Sequence, residues 1–207
     1  MSNIMPIRAV IWDMGGVAVR TEDQAPRQRL AERFHMSPAE LGHLVFDSKE
    51  SVQATVGEVP EEAVWQNVAE RLGLAAGGLV DFMREFWAGD VCDAELYNFI
   101  KGLRPGYKTG LLSNAWSNAR TVLDQRFHLL DAFDVVIISA EVHLAKPDRR
   151  IYQLALDRLG VSAVEAIFVD DVQENVDAAI SLGIQGVRFQ NSLQARQAVT
   201  QLLAERQ

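Results

Sequence analysis

Near its N-terminus the chain carries a short apolar run, Ala9-Val10-Ile11-Trp12, which stops at Asp13 and is followed at once by Gly15-Gly16. A run of that length closed by a turn signal predicts a buried strand breaking into a loop. From there to about Gly102 the pattern is almost wholly helical, and no strand is expected. Ser37-Pro38-Ala39-Glu40 has the form of a capping box with proline at the first helical position. Glu61 to Leu72 and Leu79 to Trp87 carry apolar residues at three- and four-residue spacing, as amphipathic helices do. Gly73 and Gly160, each after a leucine, read as helix C-caps.

After Pro105-Gly106 the texture becomes regular alternation. Strands are predicted at Thr109–Leu112, Val135–Ser139, Ala166–Val169 and Gly186–Phe189. Helices are predicted at Trp116–Phe127, Pro147–Leu159, Glu174–Leu182 and Ser192–Glu205. Strand–helix repetition implies a parallel sheet covered on both faces. The first strand must join that sheet, because a lone strand cannot hide its edges. The expected fold class is therefore α/β: a Rossmann-like parallel sheet with helices on both faces and an inserted small α-helical cap. Residues 1–16 and 93–207 would form the core domain and residues 17–92 the cap domain.

Composition narrows the class. With 207 residues, 48% of them hydrophobic, the chain can bury a sizeable core as well as an insertion. Its formal net charge of −8 argues against nucleic acid or an anionic membrane surface as partner, since both need clustered Lys and Arg. An anionic substrate would then need a local cationic site. Cys92 is the single cysteine, so no intramolecular disulfide is possible, and a reduced, cytoplasmic setting is expected. Met1 to Arg8 lacks the apolar run of a signal peptide, and stretches such as Val135 to Ile138 are too short to span a bilayer.

The chemistry is found by reading what stands at the carboxyl end of each predicted strand, where ligands bind in an open parallel sheet. The first strand ends in Asp13, the second in Ser113-Asn114, and the strand at Ala166 in Asp170-Asp171. Lys146 follows the strand at Val135. Singly, these residues have plainer readings: a turn for Asp13, a helix cap for Ser113-Asn114, a solvated lysine for Lys146. Together they put three carboxylates, an amine and a hydroxyl on one sheet edge. Crowded carboxylates raise one another's pKa unless a cation sits among them. Hard oxygen ligands without His or Cys point to Mg2+. His35, His43, His128 and His143 show no ligand spacing, and a surface or cap-interface role is expected for His143.

The runs Val10-Ile11-Trp12-Asp13-Met14-Gly15-Gly16-Val17, Leu111-Leu112-Ser113-Asn114, Lys146-Pro147-Asp148-Arg149-Arg150-Ile151-Tyr152 and Phe168-Val169-Asp170-Asp171 resemble the four ordered motifs of the haloacid dehalogenase superfamily. Val169-Asp170-Asp171 with Asn175 is similar to its small-cap branch, which includes α-glucose-1-phosphate phosphatase and the phosphatase domain of soluble epoxide hydrolase. The resemblance implies a cytoplasmic magnesium-dependent phosphatase acting on a small phosphorylated metabolite, such as a sugar phosphate, through an aspartyl phosphate. It makes Asp13 the nucleophile, Ser113 and Asn114 donors to the phosphoryl oxygens, and Lys146 their counter-charge. It places Mg2+ on Asp13, the Gly15 carbonyl, Asp171 and Asp170, the last directly or in support.

One position departs from the superfamily's pattern. Its phosphatases mostly carry a second aspartate two residues after the nucleophile, to protonate the leaving group. Here that residue is Gly15. A missing general acid removes ~10²–10⁴-fold in rate. Three readings follow: a substrate whose leaving oxygen needs little help, a proton supplied from the cap or from water, or a fold kept for metabolite binding or regulation. The paired acids speak against the metal-free dehalogenase chemistry of the superfamily's namesake.

Overall fold

The structure, a computed structural model, describes residues 5–206. The first part of the chain comprises β1 (Ala9–Trp12), β2 (Val19–Thr21), α1 (Ala25–Arg33), α2 (Pro38–Phe46), α3 (Lys49–Thr55), α4 (Glu61–Leu72), α5 (Ala76–Phe86) and β3 (Asp90–Cys92). There follow α6 (Ala94–Leu103), β4 (Lys108–Ser113), α7 (Ala119–Gln125), β5 (Val135–Ile138) and α8 (Ser139–Val142). The chain ends with α9 (Arg149–Leu159), β6 (Ala166–Asp170), α10 (Gln173–Ser181), β7 (Gln185–Arg188) and α11 (Ser192–Glu205).

Five parallel strands form one sheet in the order β5-β4-β1-β6-β7, with β1 at its centre. Alternation along β1 sorts its side chains to two faces. Val10 and Trp12 join Leu96 and Ile100 of α6, Leu123 of α7 and Val199 of α11 in one cluster. Ala9 and Ile11 join Ile151, Tyr152 and Ala155 of α9 and Ala179 of α10 in another. All four β1 residues are buried, as a central strand covered on both sides requires. The capping box at Ser37 forms, and Gly73 and Gly160 close their helices in the left-handed conformation.

The all-helical expectation for the segment before Gly102 needs a correction: β2 and β3 pair antiparallel, with Arg20 opposite Val91. Three-residue strands give almost no periodicity, so tertiary pairing decides them. This ribbon carries the chain out to α1–α5 and back. Those helices have a core of their own, including Leu30, Leu41, Val64, Trp65, Phe82 and Phe86. Trp116, just after β4, inserts into it, with ring centroids 5.6 Å from Trp65 and 5.9 Å from Phe46. A second contact follows β5. Ser139 Oγ donates to the Thr55 carbonyl at 2.6 Å, and His143 Nδ1 meets the Val56 carbonyl at 2.9 Å. Gly57 allows this approach, because a Cβ there would lie 2.3 Å from the Ala140 carbonyl oxygen. Among the described residues no helix is long and apolar enough to cross a membrane.

Candidate active site

Asp13 is carried just past the end of β1, its amide donating to the Val169 carbonyl at 2.9 Å. The carboxylate turns back to accept from the Met14 amide at 2.7 Å. Lys146 reaches it from the loop between α8 and α9, with Nζ 2.7 Å from Asp13 Oδ1 and 2.7 Å from Asp170 Oδ2. All three are buried, Asp170 completely. A buried ammonium between two carboxylates balances charge that would otherwise be costly.

Asn114 sets the position of Lys146. Its Nδ2 donates to the Lys146 carbonyl at 2.8 Å, and its Oδ1 accepts from the Lys146 amide at 2.8 Å. The Asn114 carboxamide is thereby committed to the neighbouring loop. Ser113 is buried at the end of β4, paired in register with Ile138.

The two adjacent acids differ. Asp170 accepts from the Val172 amide at 2.7 Å and from Asn175 Nδ2 at 3.2 and 3.1 Å, besides Lys146. Those contacts fill the roughly four acceptor positions of a carboxylate. Asp171 is half-buried and makes no such network. Tyr152 steadies the arrangement, its hydroxyl donating to the Asn175 carbonyl at 2.9 Å. The anchoring roles of Asn114 and Tyr152 are tertiary, and no spacing in the sequence announces them.

One oxygen each of Asp13, Asp170 and Asp171 lies within 4.8 Å of the others. Gly16 (φ +77°) belongs to the same cluster: a Cβ on it would sit 2.3 Å from Asp171 Oδ2. Electrostatics are strained here. Burial pushes the Asp13 carboxyl from its ordinary 3.8 up to about 7, with Lys146 opposing and Asp170 adding to the shift. Burial, and then the charge of Asp170, raise Asp171. Burial pulls the Lys146 ammonium down, but Asp13 and Asp170 outweigh it and hold it above its ordinary value. A hard divalent cation beside Asp13 and Asp171 would relieve both carboxylates, and an all-oxygen donor set suits magnesium. The residues fit such an ion, with Asp13 and Asp171 holding the open acceptors and Asp170 engaged with Lys146.

Comparison with known proteins agrees with this geometry. A sesquiterpene phosphatase of Aspergillus oryzae is 26% identical over 197 residues, spanning 95% of this chain and 96% of its own. A solved structure described as a HAD-like family hydrolase from Porphyromonas gingivalis superposes with a TM-score of 0.76 at 24% identity, over 95% of this chain and 98% of that one. A HAD family enzyme from Bacteroides thetaiotaomicron, in complex with magnesium and inorganic phosphate, gives 0.75 at 19% identity, over 89% and 94%. The family model of haloacid dehalogenase-like hydrolases matches residues 7–183. This chain therefore belongs to the haloacid dehalogenase-like hydrolases.

Proposed function

We propose that the protein is a magnesium-dependent phosphatase of small phosphorylated metabolites, with Asp13 as nucleophile. The observation that carries the reading is Lys146 held between Asp13 and Asp170 at 2.7 Å from each, beside an Asp171 with open oxygens. A fixed lysine next to the attacking carboxylate supplies counter-charge where a phosphoryl group must sit, and phosphoryl transfer is mainly positioning and charge neutralisation.

In this mechanism an Asp13 oxygen attacks phosphorus, forming the Asp13–phosphate bond. The bond to the leaving oxygen breaks, with its electron pair going to that oxygen. Water then attacks the phosphorus and releases Asp13 as a carboxylate. Lys146 and the Ser113 hydroxyl orient the phosphoryl oxygens, while Asp170 and Asn114 hold Lys146 in place. Bound magnesium, on Asp13, Asp171 and the Gly15 carbonyl, would neutralise charge on the phosphoryl group. The helical block, residues 17–92, serves as the cap of the core of residues 1–16 and 93–207, seated beside the reacting centre through contacts after β4 and β5.

Phosphate release should be followed for wild type and Asp13→Asn with an aryl phosphate and a panel of phosphorylated sugars and polyols, with and without magnesium. Release that needs both Asp13 and the metal supports the proposal; release that survives Asp13→Asn sinks it. A second reading, metabolite binding without turnover, draws on Gly15 alone. It would be favoured by silence across the panel together with thermal stabilisation by one of its members.

A further inference from the structure

The helical block rests on one side of the sheet edge. Apart from the β2–β3 ribbon and the turn leading into it, which join the core through bonds such as Arg20 to Asp93, the block's hydrogen bonds to the core among the described residues run to Asn118 and Arg126, after β4, and to Ser139 and His143, after β5. Above β6 and β7 the edge stays open as a cleft of about 770 Å³, which begins at Gly16 and Asp171, beside the nucleophile. A leaving group that points away from Asp13 has this cleft as its way out.

The cleft's charged lining consists of Arg20, Arg188 and Asp171, with Gln173, Gln190 and Asn191 adding neutral polar groups. The two arginines are in different states. Arg20 is already engaged, with Asp93 at 2.8 Å, Glu22 at 3.0 Å and the Val17 carbonyl at 3.0 Å. Arg188, exposed at the end of β7 and opposite Asp170 in register, has no ion-pair partner among the described residues. An unpaired guanidinium beside the candidate centre of a chain with net charge −8 is a selective feature, suited to bidentate contact with a phosphate or carboxylate.

We infer that the substrate's leaving group lies in this cleft and carries an acidic group of its own, a phosphate or a carboxylate, held by Arg188. The inference rests on the phosphatase reading and names the substrate class for it. With an anhydride it also accounts for Gly15. In a phosphoric anhydride, the bond from phosphorus to the bridging oxygen breaks with its electron pair on an oxygen that belongs to an acid. That oxygen departs as an anion and needs no proton, while Arg188 offsets its charge. In an ester the leaving oxygen takes its proton from water, and Arg188 anchors the acidic group further along.

A matched series tests this: 3-hydroxypropyl phosphate, propane-1,3-diyl bisphosphate and 3-(phosphonooxy)propanoate, which differ only at the far end. Methyl diphosphate represents the anhydride. Wild type should favour the charged-end substrates over 3-hydroxypropyl phosphate by about 10- to 100-fold in kcat/KM, the range of a charge-assisted contact. Arg188→Gln should collapse that ratio about tenfold or more, chiefly through KM for the esters, and Arg188→Lys should restore part of it. Preference for methyl diphosphate alone would assign the anhydride, and preference for both long anions would assign the ester. A wild type without preference, or a preference that survives Arg188→Gln, overturns the inference even where an aryl phosphate is turned over. A wild type that releases phosphate neither from this series nor from an aryl phosphate would overturn the phosphatase reading itself.

Discussion

Gly15→Asp is the substitution that most directly probes how this chain handles the leaving group. Gly15 is exposed, its φ lies outside the left-handed region, and a Cβ built on it meets no atom within 4 Å. A side chain fits without moving the turn. A well-placed general acid contributes ~10²–10⁴-fold. An untuned aspartate with a pKa of ~3.9 is about 7% protonated at pH 5, which leaves a gain of roughly 7- to 700-fold. At pH 7 the protonated fraction is roughly a hundred times smaller, so the gain nearly vanishes. The neighbouring carboxylates favour protonation and push the gain toward the upper end. The assay is kcat/KM at pH 5 and 7 for an alkyl phosphate, whose leaving oxygen needs a proton, against p-nitrophenyl phosphate, whose leaving oxygen does not. The alkyl-to-aryl ratio should rise at least about tenfold at pH 5. An unchanged ratio in a folded, magnesium-responsive variant would refute the idea that a missing proton donor limits this site.

Other consequences concern the buried charges. Lys146→Met should abolish turnover and, in EDTA at pH 8, destabilise the fold by about 3–5 kcal/mol in denaturant titrations, because Asp13 and Asp170 lose the cation between them; a stability change near zero would deny Lys146 that role. Gly16→Ala puts a Cβ on Asp171 and should weaken the magnesium-induced rise in Tm, whereas an undiminished rise would place the ion elsewhere. The pH dependence of stability has a definite sign. Burial holds Asp13 at about 7 against an ordinary 3.8, so the folded chain keeps a proton that the unfolded chain has released. The associated stability is present below pH ~4 and drains away as pH rises through ~7, while Lys146 stays charged and adds no slope. In EDTA, the Tm of wild type should therefore fall from pH 5 to pH 8 more steeply than that of Asp13→Asn; parallel curves would contradict this.

What was legible in the sequence followed from short-range physics. Ala9–Trp12 is apolar without a break because both faces of a central parallel strand are covered, so the strand itself could be read from four residues, while its central place came from the structure. Asp13, Ser113 and Asp170-Asp171 were legible for the same reason: each polar residue interrupts an apolar strand at its carboxyl end. The β2–β3 ribbon was not, since three-residue strands are made by their partner and carry no period of their own. The side-chain assignment at Asn114 was also out of reach, because its carboxamide is claimed by a backbone 32 residues away. Likewise, adjacency in sequence treats Asp170 and Asp171 as a pair. The fold gives them different partners, turning Asp170 onto Lys146 and Asn175 and leaving Asp171 at the start of the cleft, although an oxygen of each stays within 4.8 Å of the other. Arg188 makes the same point most sharply. In the sequence it is one arginine after a valine; only the register that sets β7 beside β6 brings it to the rim of the site. Local pattern determined which groups stand at strand ends, and tertiary packing alone decided which of them are neutralised, which are committed, and which remain open to a ligand.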